Sequence, residues 1–293
     1  ASLIIVPMAL LIQGEAAALF WGDYAGLWWL VAALAITAMI LIRMGVSVFN
    51  REELLGRDID QIRIGWMSGQ FWIRFCGRDE IENGRYPSIV HWYRGTFKLL
   101  PKLRYPVAIL AIAFVGAIVM GVVLSQQYQF PPELQAEINS AQIAENLDDL
   151  QILVGELPLF IFMQNVRVML LLTILGIFSL GVLGILIFML PWGIIGFLGG
   201  QISLAGENPF TFILGTVVPH ATVELPALLI IAAAALRWHT VAISPPPNRT
   251  ISESFLWAAG DFARIFIGIG IPLLFIASLI EAYITPLVLA QLY

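Results

Sequence analysis

Two ionisable residues stand four apart in PHATVELP, Pro219 to Pro226, between the apolar runs FTFILGTVV and ALLIIAAAAL. At i and i+4, His220 and Glu224 share one face of a helix, close enough for an imidazole and a carboxylate to pair. Inside a bilayer such a group costs roughly 2.5–3.5 kcal/mol on insertion scales, so it turns toward the bundle interior and takes a partner. Pro219 suits a first helical turn, where its missing N–H would be unpaired anyway. The spacing therefore predicts a helix that restarts at Pro219, with free carbonyls just before it. A second acid, Glu281, sits in SLIEAYITP of the last apolar run, and Arg167 in MQNVRVML offers the obvious cation. These residues are expected to form one buried polar cluster. Two roles stay open: polar glue that fixes helix register, or a proton, ion or substrate path through a broken helix.

Enzyme signatures are missing. PHATVE is not H-E-x-x-H, no G-x-S-x-G elbow occurs, and no G-x-x-x-x-G-K-[ST] loop is present. Three histidines (His91, His220, His239) and the single Cys76 are a poor ligand supply for a closed zinc site. The expectation is a chain without catalytic activity, metal or cofactor of its own, and any ATP hydrolysis would belong to a separate subunit.

The elements that position these residues are set by composition. Of 293 residues, 59% are hydrophobic and 12% charged, against about 25% charged in soluble domains. The fold class expected is all-α: a polytopic transmembrane helical bundle with about seven hydrophobic segments. They run Leu3–Phe20, Leu27–Val48, Tyr105–Leu124, Val166–Leu190, the glycine-laced Trp192–Leu204, Phe210–Leu236 and Phe262–Leu289. Pro191, Pro219 and Pro226 mark helix breaks, with a discontinuous helix near 191–219, and Gly196 and Gly200 make a GxxxG for close packing. A net charge of -5 gives no ground for nucleic-acid binding, and one cysteine cannot form an internal disulfide. The chain opens on Ala1 inside an apolar run, which reads as the ordered or processed part of a longer protein.

Eleven of the fifteen Lys and Arg lie between Arg43 and Arg104, whereas Ser125 to Gln164 holds six acids and no Lys or Arg. The positive-inside rule places the first stretch in the cytoplasm and the second outside. Seven spans then return the 237–261 loop, with Arg237 and Arg249, to the cytoplasm. Ile59–Phe75 and Pro87–Pro106 interleave aromatics with basic residues, which suits amphipathic helices in the headgroup layer; a small cytoplasmic domain is the alternative. Leu134, Ile138, Ile143, Leu147 and Leu150 recur at near-helical spacing in the acidic loop, predicting one or two helices over the outer surface. Three regions result: two helices in 1–48, a cytoplasmic or interfacial segment in 49–104, and a transmembrane domain in 105–293 with the acidic loop 125–164.

The run QNVRVMLLLTILGIFSLGVLGILIFMLPWGIIGFLGG, then PHATVELPALLIIAAAALR, then IASLIEAYITP resembles the stage II sporulation protein M family over roughly residues 100 to 290. Asn165, Arg167, Pro219, His220, Glu224, Glu281 and Pro286 match its pattern, which adds Asn165 to the expected cluster. Ala221 stands where that family usually has glycine. The resemblance implies a membrane scaffold, which in spore formers recruits cell-wall hydrolases during engulfment. GVSVFNREELLGRDID, Gly45 to Asp60, resembles the tail of ABC-type exporter permeases, so residues 1 to 60 would be the last two spans of one. Together they imply a permease-like subunit of an ABC-type export or envelope-remodelling assembly in the bacterial cytoplasmic (inner) membrane. The alternative is a non-transporting scaffold that recruits cell-wall enzymes. Partners implied are the lipid bilayer, other membrane subunits, a separate ATPase and further copies of the chain.

Overall fold

The computed structural model describes residues 2–48, 64–81, 86–130, 157–241 and 250–292, and every regular element among them is helical. The helices expected over the acidic loop in 131–156, the permease-like stretch 49–60 and most of the loop after Val241 lie outside the described residues. Five helices are long and apolar enough to cross a membrane: Ile89–Gln127, Leu157–Phe178, Val182–Leu204, Val218–Val241 and Ile251–Leu292. Two shorter apolar helices, Leu10–Trp21 and Tyr24–Met39, belong to α1 (Ser2–Trp21) and α2 (Tyr24–Val48). The chain is an all-α, multi-pass membrane protein.

One boundary differs from the sequence reading. The apolar run Val166–Leu190 is not one span: α6 (Leu157–Phe178) ends and α7 (Val182–Leu204) begins within it. Leu180 and Gly181 take positive φ angles of 53° and 101°. The Gly181 N–H reaches back to the Gly176 carbonyl at 2.7 Å, the six-to-one closure of a left-handed helix end. The only polar mark in this stretch of the run is Ser179, whose hydroxyl accepts from the Leu183 N–H at 2.9 Å. In consequence Pro191 does not break anything. It lies inside α7, withdrawing one backbone donor from a continuous helix. Pro226 does the same inside α9 (Val218–Val241). Lipid-embedded helices tolerate this because neighbours re-satisfy the freed carbonyl. The interruptions lie later: α7 ends at Leu204, α8 (Pro209–Thr216) stops in turn, Val217 adopts φ −109°, and α9 starts one residue before Pro219.

The last helix is the longest. It runs from Ile251 to Leu292 as α10 (Ile251–Ile265), α11 (Ile271–Leu279) and α12 (Thr285–Leu292), joined by wide π turns at Phe266–Gly270 and Ile280–Ile284. Pro272 and Pro286 each come two residues after a wide turn ends. A proline ring crowds the carbonyl four residues back, and an i→i+5 turn makes room for it. At 1.5 Å per residue a helix of this length reaches about 60 Å, twice the hydrocarbon thickness, so its ends leave the bilayer.

Within lipid the hydrophobic effect inserts helices but does not choose their partners; small residues that let backbones close do. Ala232 to Ala235 are all buried. Four consecutive residues sweep a full helical turn, so α9 is enclosed on every side, by α5 (Arg104–Gln127), α6, α7, α8 and the last helix. The GxxxG works against α5: a Cβ on Gly196 would collide with the Ile118 carbonyl. The predicted amphipathic stretches contain α3 (Ile64–Cys76) and α4 (Ile89–Phe97). They dock on α10, and the buried Leu99 and Leu103 beside them belong to the same core as the bundle rather than to a separate domain. Their other face exposes Trp66, Trp72, Ile89 and Val90.

Candidate functional site: a polar cluster at a helix restart

α9 carries His220 and Glu224 in its first two turns, and their Nε2 and Oε2 atoms stand 3.6 Å apart. Glu281 arrives from the second π turn of the last helix. One donor atom from each of His220, Glu224 and Glu281 lies within 4.8 Å of the others. From α6, the Asn165 amide hydrogen-bonds the Glu224 carboxylate. Thr285, the first residue after the π turn, meets His220 Nδ1 through its Oγ1 at 3.3 Å and reaches the Ile280 carbonyl at 3.3 Å. The four expected residues thus come from three helices, and the restart before Pro219 is what lets α9 begin at this level.

Arg167 is not among them. It is exposed, and two helical positions from Asn165 is about 200° around the axis, so the two cannot face the same side. Sequence proximity to Asn165 suggested a counter-ion that helix geometry points away. The cluster opens on a cavity of about 610 Å³ whose wall is otherwise mostly apolar, with Met169, Phe188, Ile195 and Leu228 beside Gln164 and, among the described residues, no Lys or Arg. Phe160, Leu190 and Ile194, at its edge between α6 and α7, are exposed. The mouth therefore lies on the flank of two spans. Trp192 lines the same cavity, and its buried indole N–H meets no acceptor.

A second polar group escaped the sequence reading. At the end rich in basic residues, Arg74 pairs with Asp79 and, at 2.6 Å, with Asp261. Asp261 also takes Arg237 at 2.9 Å, and Arg264 pairs with Glu80 at 2.6 Å. Arg264 further donates to the Trp92 carbonyl at 3.1 Å and lies near the indole face. The residues come from α3, the turn after it, α9 and α10. The signal available was Asp261 at the end of the 237–261 loop and Arg264 at the head of the last apolar segment, neither with a partner visible in sequence.

Residues 109–286, more than half of the chain, match the family model described as Stage II sporulation protein M. The chain belongs to that family. The matched range takes in Asn165, His220, Glu224, Glu281 and Thr285, and leaves α1 to α4 outside it. No curated protein and no solved structure matches the chain.

In this family member the cluster has the makings of a cation or proton site: two carboxylates, one imidazole and no neighbouring base. Neither His220 nor the carboxylates hydrogen-bond a serine or cysteine side chain among the described residues.

Proposed function

We propose that this family member is a permease-like integral subunit of an ABC-type export or envelope-remodelling assembly, working with a separate ATPase and without enzymatic activity of its own. The observation that carries the reading is the cavity: a space of about 610 Å³ within the bundle, open on its flank, with its ionisable groups at the start of an interrupted helix. Interrupted helices with polar groups at the break are the usual means of building a path through lipid. The unmatched α1 and α2, with the resemblance of Gly45 to Asp60 to a permease tail, support the ABC connection. The seat proposed is the bacterial cytoplasmic membrane, with α3 and α4 on the cytoplasmic side at headgroup depth.

The test is isolation of the tagged chain from its native membrane in mild detergent. An ATP-hydrolysing subunit should accompany it, and ATPase activity of that complex should fall in Glu224→Gln. If the chain purifies without a nucleotide-binding partner and its loss mislocalises cell-wall enzymes, the scaffold reading replaces this one. Orientation is checked in a Cys76→Ser background: an impermeant thiol reagent should label a cysteine at Glu207 in intact cells and not one at Arg94.

A further inference from the structure

We infer that His220, Glu224 and Glu281 form a binding site for one first-row divalent cation, with Zn²⁺ the best fitted, at the head of the cavity. This stands independently of whether an ATPase partner exists.

The geometry begins with His220. The Thr285 hydroxyl has an acceptor in the Ile280 carbonyl, so its lone pairs are left to receive the His220 Nδ1–H. That fixes the tautomer and leaves Nε2 as a bare lone pair. It faces Glu224 Oε2 at 3.6 Å, with a Glu281 oxygen in the same group. A nitrogen lone pair and two carboxylates turned toward one point repel each other unless a positive charge sits between them. Among the described residues no Lys or Arg lines the cavity to supply one.

The His220–Glu224 spacing agrees with a shared ion rather than a hydrogen bond, and the Glu281 oxygen, within 4.8 Å of both, would close onto it. A gap of 3.6 Å is too long for N–H···O. Two ligands about 2.1 Å from one tetrahedral ion stand about 3.4 Å apart. The outer partners are also of the kind that orient metal ligands: a histidine whose other nitrogen is held by an oxygen, and a carboxylate held by an amide, Asn165. Three protein ligands leave a fourth position, and it faces the cavity. Trp192, 6% exposed and among the residues lining that cavity, carries an indole N–H that meets no acceptor among the described residues. Imidazole with carboxylate oxygen suits Zn²⁺ and its neighbours better than Ca²⁺ or Mg²⁺.

For the test, the full-length chain is purified in detergent, stripped with a chelator, titrated with Zn²⁺ and desalted. It should retain one Zn²⁺ per chain, melt at a higher temperature with Zn²⁺ than without, and give a zinc absorption edge that fits one imidazole nitrogen plus oxygen ligands. Glu224→Gln, Glu281→Gln and His220→Asn should each weaken Zn²⁺ binding by about tenfold or more and remove the melting shift. His91→Gln, on α4 and away from the cavity, should change neither. Retention far below one ion per chain overturns the site, as does binding that survives Glu224→Gln combined with Glu281→Gln. An absorption edge without imidazole overturns it even where a variant fails to fold.

Discussion

Two polar groups, one at each end of α9, are built on opposite principles. At the basic end three arginines, Arg74, Arg237 and Arg264, meet three acids, Asp79, Glu80 and Asp261, in ion pairs, and Arg264 also donates to the Trp92 carbonyl and the Thr96 hydroxyl. At the other end two carboxylates and an imidazole share the cavity wall with, among the described residues, no arginine or lysine. The first group is complete and ties α3, α9 and α10 together. The second is short of positive charge and opens onto space.

The contrast is broken most severely at Arg264, which is fully buried. Arg264→Ala leaves Glu80 only the longer contact with Arg74 at 3.8 Å and empties the space beneath Trp92; breaking a buried pair costs 3–5 kcal/mol. Because the Glu80 side chain keeps 24% of its exposure, a loss near about 3 kcal/mol is expected, read as the melting or denaturant midpoint in detergent. Arg264→Lys should recover only part of it, since an ammonium cannot reach Glu80 and the Trp92 carbonyl as a fork does.

A smaller effect sharpens the same point. In a double-mutant cycle, Arg74→Ala and Asp261→Ala should couple by about 1–2 kcal/mol, whereas Glu224→Gln and Glu281→Gln should not show that favourable coupling. Glu224→Gln keeps the Asn165 contact and removes like charge from Glu281. It should leave stability in metal-free buffer within about 1 kcal/mol of the parent while impairing function. A collapse of the fold in Glu224→Gln would make the upper cluster structural like the lower one.

Arg167→Ala should do least among the spans: an exposed side chain away from the cavity is worth under about 0.5 kcal/mol, and function should be unchanged. A weak pH effect comes from Asp23, in the turn between α1 and α2. The Gly26 N–H first, then the Tyr128 hydroxyl, hold its carboxyl below the ordinary range. A depressed carboxylate contributes stability above its unfolded pKa near 4, lost as pH falls through the lower folded value. Asp23→Asn should therefore flatten a small acid-side slope: slightly less stable than the parent at neutral pH, it should converge with the parent as pH falls through the lower folded value.

Much of this was legible before the structure. Helix content and membrane class followed from apolar runs, which lipid requires to be helical. The pairing of His220 with Glu224 followed from local periodicity. Pro219 was rightly placed at a first turn because a proline there loses no hydrogen bond. The same residue type misled at Pro191 and Pro226, since a continuous helix in a crowded bundle bears a missing N–H. The real boundary at 179–181 was hidden, because the left-handed glycine turn has Ser179 as its only polar mark.

What the sequence determined by itself was local: which stretches are helical, where α9 restarts, and that its first two turns carry ionisable groups sharing one face. Those follow from backbone geometry within a few residues. What only the tertiary structure decided was company. Glu281 joins His220 because a wide turn in the last helix presents it there, Thr285 then sets the imidazole's free nitrogen, and Arg167 faces away although Asn165, two residues before it, faces in. Asp261 and Arg264, which have no partner visible in the sequence, become the centre of a charge network only when α3 folds back onto α10. Contacts between distant segments depend on packing of small residues such as Gly196 and Ala232 to Ala235, and that register is set by the whole bundle at once.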